Sequence, residues 1–504
     1  MSNNQNEYDV VITGGRVIDP ETGLDAVRNV GITGDKIAAV TEDVIQGKET
    51  IDATGHVVVP GFIDTHNHNA GTDLGERMSL RDGVTTMLEL EMGVYPVDEW
   101  YETNLGKRRT NYGASVGLAP VRENLLNKEF KTVDAGDFIF DVGGHPDKSH
   151  ASQQWQKGIV DPENYPDVEN KLDEGLVQGS VGIGCTPGYM TVGCSQEELV
   201  IAQKLAGKFG QSTYVHARYS SQMPPASGIL GFLEMMGPQE VYGGGILLQH
   251  AHQQALRDIG RALDLVDAAR AKGTQIMAEI YPYTFGATIA AADYLQPENY
   301  QRNMGRNYKD ILEMPSGTPL TKERYEELNK TNPFAMVLFY AATDDDMYKA
   351  LAHPSTSVGS DAVPMSDLKT GELVSDWDTD LMSVNGHQRS SGTFSRFLSF
   401  VREKKVDIPL TLAVAKVSYF AAQYLEANGV PQMADKGRIQ VGKDADITVF
   451  DPMTVQDHGT LANGGLPSTG IPFVLVNGKV LVRESKEIDG VFAGKPIQGS
   501  GKVA

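Results

Sequence analysis

Eight short runs of apolar or β-branched residues recur through the middle of the chain, and most of the segments between them are long enough for a helix. Segments 197–209 and 257–272 show the apolar spacing of helices. The runs are not alternating, which is typical of strands buried on both faces of a parallel sheet. They are 57–63, 84–90, 114–118, 180–184, 213–215, 245–248, 275–280 and 356–359. This order predicts an α/β protein with a closed, TIM-like (β/α)8 barrel.

Several of these predicted strands end in a side chain that can bind a metal. His66 and His68 follow the first run, and residues i and i+2 of an extended segment point the same way. Taken alone, this pair would suit a loop without a ligand equally well. His216, His250 and Asp361 follow three later runs in the same manner. Because chemistry in such barrels lies at the carboxyl ends of the strands, the repeated placement favours a metal site.

The two ends of the chain have a different pattern. Segments 8–18 and 473–482 each contain two β-prone runs around a turn, and Asn477-Gly478 is a dipeptide favoured by two-residue hairpins. A further strand is expected within 442–451. The sequence therefore predicts a small β-sandwich domain built from both termini, with the barrel inserted into it. The expected limits are 1–59 with 435–504 for the β domain and 60–434 for the barrel.

A long segment separates the last two predicted barrel strands. Residues 293–334 are rich in Asn, Glu, Lys and Pro and exceed the length that one connecting helix needs. Long insertions near a barrel mouth are often lids that shape a substrate pocket. A lid-like insertion and simple surface decoration both fit this pattern.

Composition narrows the class of protein. Hydrophobic residues make up 40% of 504 residues, and no apolar run approaches the length of a membrane span. A net charge of -22 argues against a broad nucleic-acid surface. Two cysteines cannot form a disulfide framework, and the polar start of the chain lacks the core of a signal peptide. These features agree with a soluble enzyme and predict a cytoplasmic location, without nucleic-acid or membrane partners.

Three motifs resemble the amidohydrolase superfamily: PGFIDTHNH at 60–68, GSD at 359–361, and KGRIQVGKDADI at 436–447. Three others resemble its N-acyl-D-amino acid deacylase branch: YPY at 281–283, HQR at 387–389, and GTF at 392–394. The resemblance runs over nearly the whole chain. It implies a zinc-dependent hydrolase that cleaves the amide bond of a small-molecule substrate, an N-acyl-D-amino acid, to a carboxylate and a free D-amino acid.

One position departs from the branch, which commonly has a cysteine metal ligand after the second strand. An ungapped match places Met92 there, and a thioether is a poor ligand for a hydrolytic zinc centre. Glu91 is the expected replacement and Glu89 the reserve, although both could instead pair with nearby cations. Cys185 follows the fourth strand, where many relatives carry a carboxylated lysine, and is a second reserve ligand. Packing in the core is its simpler interpretation.

The resemblance implies a division of the ligands. His66 and His68 would hold one ion, His216 and His250 a second, and Glu91 would bridge them, so that one or two Zn²⁺ bind per chain. Zinc lowers the pKa of water and polarises an amide carbonyl. Asp361, also a metal ligand, would act as the general base and pass the proton to the leaving nitrogen.

Substrate binding is also inferred from the resemblance. Arg389, Tyr281 and His252 match the branch's carboxylate pocket, with His252 where relatives often have lysine. Arg218 could serve a second, side-chain carboxylate, which would favour N-acyl-D-glutamate, or it could form a salt bridge at the barrel rim. Cyclic amide hydrolysis, deamination and a barrel without catalytic activity are the alternative functions. Whether the protein forms a homo-oligomer stays open.

Overall fold

The computed structural model of the protein describes residues 8–127 and 154–501. Eight parallel strands lie side by side in chain order, and a bridge between Asn67 and Ala362 joins the region after the first strand to that after the last. The strands are Phe62–Asp64, Val84–Val94, Asn111–Gly117, Ile183–Cys185, Ser212–Val215, Gly245–Leu248, Ile276–Ile280 and Thr356–Val358. The predicted (β/α)8 barrel is therefore confirmed.

The first predicted run, 57–63, is two strands rather than one. Val57–Pro60 pairs with Ile447–Phe450 in a separate sheet, and Phe62–Asp64 begins the barrel. Gly61 lies between them against the second barrel strand. A Cβ atom at Gly61 would come within 2.2 Å of Thr85 Oγ1, so only glycine allows the chain to pass there.

Both chain ends contribute to one nine-stranded sheet, which confirms the predicted β domain. A separate apolar cluster, which includes Val17, Ile32 and Leu475, forms its core. Its strands are Tyr8–Asp19, Leu24–Thr33, Lys36–Thr41, Gly47–Asp52, Val57–Pro60, Ile447–Phe450, Phe473–Val476, Lys479–Arg483 and Lys486–Glu487. Residues 1–7 and 502–504 of the predicted domain lie outside the described residues, and its exact limits stay a prediction.

The two hairpins expected in this domain have different outcomes. Asn477 and Gly478 have φ values of 47° and 74° and join two antiparallel strands, as their turn chemistry predicts. The hairpin expected at 8–18 is wrong, because Tyr8–Asp19 is one continuous strand. Its pairing is irregular between Ile12 and Gly15, and a bulge there replaces the expected turn.

The insertion between the seventh and eighth barrel strands is larger than 293–334 and contains its own antiparallel sheet. The strands of this sheet are Phe285–Ile289, Ile311–Glu313, Thr318–Pro319 and Met336–Tyr340. A smaller three-stranded sheet follows the eighth barrel strand. It consists of Met365–Asp367, Leu373–Val374 and Val384–Asn385.

Helices occupy most connections between the barrel strands, and the predicted helices at 197–209 and 257–272 are present as Gln196–Phe209 and Ile259–Arg270. The other α-helices are Asp73–Arg81, Val97–Asn104, Leu118–Leu126, Gln154–Lys157, Tyr165–Val177, Gly228–Tyr242, Ala251–Ala255, Pro297–Asn299, Lys322–Thr331, Asp344–Ala352, Arg389–Arg402, Leu410–Val414 and Phe420–Ala427. Short 3₁₀ or π turns are Pro162–Asn164, Leu256–Asp258, Asp293–Leu295, Tyr300–Met304, Tyr308–Asp310, Ala415–Tyr419 and Pro431–Asp435. Within 8–127 and 154–501, none of the helices combines the length and apolar character of a membrane span.

Candidate metal centre

Glu91 lies at the centre of four histidines at the carboxyl end of the barrel. Its Oε1 is 3.1 Å from His216 Nδ1 and 2.8 Å from His250 Nε2. Its Oε2 is 3.6 Å from His66 Nε2 and 3.7 Å from His68 Nε2. The two carboxylate oxygens therefore face different histidine pairs, which is the arrangement that the sequence predicts for a bridging ligand.

The strand ends bring these side chains together, with local strain at two of them. His250 has a φ of 35° and Asp361 a φ of 53°, both in the left-handed region that residues other than glycine rarely adopt. Such strain is concentrated at functional sites, where the surrounding structure holds a side chain in place. Here it occurs at two of the predicted ligands.

Asp361 approaches the centre from the eighth strand. Its Oδ1 is 3.2 Å from His66 Nε2 and 3.3 Å from His68 Nε2. Its Oδ2 is 2.9 Å from Arg389 Nη1. Asp361 is thus in contact with both the histidines and the predicted substrate-binding arginine.

Two further carboxylates orient the first histidine pair from outside. Glu89 Oε2 is 2.8 Å from Nδ1 of His68, and Glu279 Oε1 is 3.3 Å from Nδ1 of His66. A hydrogen bond at Nδ1 leaves Nε2 free to bind a metal. The structure therefore places the reserve ligand Glu89 behind the His68 ring, on the side away from the nitrogen that could bind a metal. Sequence reasoning missed Glu279, whose only signal is a lone acidic residue in an apolar strand.

Asp64 ties the first and eighth strand ends to each other and was also missed. Its carboxylate accepts hydrogen bonds from His66 N, Asn67 Nδ2 and Ser360 N at 3.2, 2.8 and 2.9 Å. Burial raises its pKa to about 6, against the opposing effect of the bonds from Ser360 and Asn67. This one side chain thereby aligns the segments that carry His66 and Asp361.

The electrostatics of the centre suit a cation. Burial would lower the pKa of His66, but Asp361, Glu279 and Glu91 outweigh that effect and raise it well above its ordinary value. Burial would also lower the pKa of His68, but Glu89 and Asp361 outweigh that effect and raise the pKa to about 10. Both shifts reflect an excess of buried negative charge around the imidazoles.

The donor atoms also fit a divalent ion. The chain offers two buried groups of three possible metal ligands, and within each group the ligand atoms lie within 4.8 Å of one another. Nε2 of His66, a member of both groups, has no hydrogen-bond partner within the described chain, whereas His216 faces Glu91 through Nδ1. Buried imidazole nitrogens without partners beside carboxylates are the chemistry expected of a metal site. The groups are His66, Glu91 and His250, and His66, His68 and Asp361.

Cys185 lies apart from both of these groups among the described residues. It is fully buried at the end of the fourth barrel strand, where burial raises the pKa of its thiol. A buried neutral thiol is a small apolar side chain, whereas a metal ligand would be a thiolate. The structure therefore favours packing over the reserve metal role.

Arg389 and Tyr281 form the predicted carboxylate-binding side of the site. The guanidinium carbon of Arg389 lies 4.9 Å from the centre of the Tyr281 ring. Nε and Nη1 of Arg389 are buried and lack a hydrogen-bond acceptor within 8–127 and 154–501. Nη1 forms an ion pair with Asp361 at 2.9 Å, so Nε is the buried donor that is left to bind an anion.

A narrow pocket opens onto the metal centre, and the large insertion supplies part of its wall. Tyr294 and Phe339 come from that insertion, and Tyr189 follows the fourth barrel strand. The other lining residues are His216, Ser220, His250, Gln253, Gln254, Tyr281, Gly286, Ala287, Asp361 and Arg389.

Two predicted substrate residues are placed elsewhere. Nε2 of His252 lies 3.1 Å from the Tyr283 carbonyl oxygen, and its ring packs 4.6 Å from that of Tyr281. Burial lowers the pKa of His252 to about 3, so it is neutral and cannot serve as a cationic anion contact. Arg218 donates from Nε to both oxygens of Glu234, at 3.0 and 2.9 Å. The rim salt bridge is thus the arrangement that the structure shows for Arg218.

The amidohydrolase family model matches residues 49–112, the segment that carries His66, His68 and Glu91. The N-acyl-D-glutamate deacylase of Alcaligenes xylosoxydans xylosoxydans is 26% identical, with 94% of this chain and 93% of that protein aligned. The chain is therefore similar to a deacylase of the amidohydrolase type over nearly its whole length. It also aligns over 97% of its length with the D-aminoacylase of the same organism, at 23% identity and with 97% of that relative covered.

Solved structures of similar proteins share the fold of this chain. The N-acyl-D-glutamate deacylase of Bordetella bronchiseptica, solved with zinc and a phosphonate inhibitor, has a TM-score of 0.76 and 23% identity. A D-aminoacylase structure has a TM-score of 0.74 and 21% identity. Both similarities cover 98% of this chain and 100% of the other.

Proposed function

We propose that the protein is a zinc-dependent hydrolase that cleaves the amide bond of N-acyl-D-amino acids, releasing a carboxylate and a free D-amino acid. The observation that carries this proposal is the position of Glu91 between two histidine pairs, with Asp361 in contact with both His66 and Arg389. The full-length relatives that act on N-acyl-D-amino acids support the same class of substrate.

The residues divide into two ligand sets that share Glu91. His66 and His68 would hold one zinc ion, and His216 and His250 a second, so that one or two ions bind per chain. When bound, zinc would polarise the amide carbonyl and lower the pKa of the attacking water. Asp361 completes the set as a ligand to the first ion.

Asp361 is also the proposed general base. Its carboxylate would take a proton from water as the oxygen attacks the carbonyl carbon, and would return the proton to the nitrogen as the carbon–nitrogen bond breaks. Asp361 is the one carboxylate among the described residues that line the pocket. No other residue is needed to carry that proton.

Arg389 would bind the carboxylate of the substrate through its guanidinium group, whose Nε has no acceptor among the described residues, with the Tyr281 ring against it. His252 would pack against the Tyr281 ring rather than contact the substrate. Arg218 would form a salt bridge with Glu234 at the barrel rim. The insertion would close over the substrate, because Tyr294 and Phe339 already line the pocket. The preference for D configuration rests on the relatives.

A substrate panel tests the proposal. Zinc-loaded protein should hydrolyse N-acetyl-D-amino acids faster than their L forms and faster than cyclic amides such as hydantoins. Asp361→Asn, which keeps the shape of the side chain but removes the base, should lose activity while retaining its fold. Preferential opening of cyclic amides would assign the other superfamily reaction, and no turnover of any amide would overturn the proposal.

The location of the protein in the cell and its oligomeric state are separate questions from its reaction. The free cysteines Cys185 and Cys194 suit a reducing compartment, which supports a cytoplasmic location that cell fractionation would test. Light scattering of the purified protein would distinguish a monomer from a homo-oligomer.

A further inference from the structure

We propose that Glu91 makes this an oxygen-bridged metal centre, which discriminates less strongly between Zn²⁺ and the harder ion Mn²⁺ than a thiolate-bridged centre would. The inference rests on the ligand set of the proposed function but not on the reaction itself. It concerns which ions the site accepts.

The bridging carboxylate offers a separate oxygen to each histidine pair. Oε1 faces His216 and His250, and Oε2 faces His66 and His68 at somewhat greater distance. A sulfur ligand would present one soft atom to both ions. Here each ion would meet imidazole nitrogens and a hard oxygen instead.

A second carboxylate increases the oxygen content of the centre. Asp361 Oδ1 lies within 3.3 Å of both His66 Nε2 and His68 Nε2, so the first ion would meet two carboxylates. Carboxylate oxygens suit Mn²⁺, and imidazole suits zinc among other transition ions. Because the site combines imidazole nitrogens with carboxylate oxygens, its donor atoms suit both zinc and manganese.

Sulfur is absent from both ligand groups within the part of the chain that the structure describes. Cys185 and Cys194 are buried, and burial raises the pKa of each thiol, which disfavours the thiolate form. Met92, adjacent to Glu91, is fully buried in the apolar core, and its backbone N donates to Glu89 Oε1 at 3.1 Å. None of the three supplies the soft ligand that would strengthen zinc selectivity.

A competition experiment with metal ions alone tests the inference. Full-length protein is stripped with a chelator, offered Zn²⁺ and Mn²⁺ in buffered mixtures, and analysed for bound metal. Glu91→Cys should raise the preference for zinc over manganese by at least about tenfold relative to wild type, because thiolate is a soft ligand. Cys185→Ser is the matched control, since it removes a thiol outside the ligand groups, and it should leave the preference unchanged.

An unchanged ion preference in folded Glu91→Cys would overturn the inference, and so would a loss of zinc preference in Cys185→Ser. Cobalt loading of wild type gives an independent result if Glu91→Cys does not fold. The Co²⁺ protein should lack a thiolate-to-cobalt charge-transfer absorption band, and the presence of that band would contradict an oxygen bridge. These measurements need no substrate, so their outcome does not depend on whether the protein catalyses the proposed hydrolysis.

Discussion

Arg389 and Asp361 meet in the wall of the pocket, with Nη1 of the arginine 2.9 Å from Oδ2 of the carboxylate. The proposed anion-binding group is therefore next to the proposed proton carrier. In an N-acyl α-amino acid, the carboxylate and the amide nitrogen are attached to the same carbon. A substrate held by Arg389 would consequently place its leaving nitrogen close to Asp361, which is the positioning that amide hydrolysis needs.

This relationship predicts the effect of removing the guanidinium. Arg389→Met should lower kcat/KM for N-acetyl-D-alanine by about 10- to 150-fold, the equivalent of ~1.5–3 kcal/mol for a hydrogen bond to a charged group. Steady-state kinetics on both proteins would measure it. N-acetylethylamine, which lacks the carboxylate, is the control substrate and should lose less activity than N-acetyl-D-alanine, because it reports only the effect of the variant on Asp361 and the fold. Equal losses on the two substrates would mean that Arg389 does not bind the substrate carboxylate.

The outer carboxylates predict a second effect. Glu279→Gln and Glu89→Gln should each weaken metal binding by about 10- to 100-fold, because each removes the charge that orients His66 or His68. Chelator competition followed by metal analysis would measure the loss. Glu76→Gln removes a buried carboxylate near the start of the third barrel strand and should leave the affinity unchanged. Equal weakening in that control would point to a general loss of stability.

The strand ends explain why much of the centre was predictable from the sequence. His66 and His68 stand two residues apart after an apolar run, and Asp361 follows another, so barrel geometry alone places them at one rim. The candidacy of Glu91 as a bridging ligand followed from a single departure from the family pattern. The histidines and Asp361 needed only local spacing and the common direction of parallel strands, whereas Glu91 needed the resemblance as well.

Other features depend on packing between distant segments. The role of Glu279 arises because the seventh strand brings it to within 3.3 Å of His66, which is 213 residues away. The pairing of Arg218 with Glu234 depends on how one helix lies over the barrel rim. The division of the 57–63 run at Gly61 follows from a close contact with Thr85. Periodicity in the sequence carries no information on such contacts.

Metal removal should reduce the thermal stability of the protein. A ligand present at 1,000 times its Kd stabilises the folded state by about 4 kcal/mol, and buried carboxylates without a cation add to the cost of the metal-free form. Scanning calorimetry should therefore show a lower Tm after chelation and recovery with zinc. Glu91→Ala is the control and should respond little to the chelator. A wild-type Tm unaffected by chelation would contradict a structural contribution from the ion.

Arg218 provides a prediction about side-chain specificity. Because its Nε bonds both oxygens of Glu234, and its Nη1 and Nη2 donate to the carbonyl oxygens of Thr191 and Cys194, it should not select acidic substrates. The double variant Arg218→Met with Glu234→Gln removes the pair without leaving a buried charge unpaired. It should be less stable, yet the ratio of kcat/KM for N-acetyl-D-glutamate to that for N-acetyl-D-glutamine should match wild type. These substrates differ only in the charge of the side chain, so a tenfold fall in the ratio would restore Arg218 as the contact for a second carboxylate.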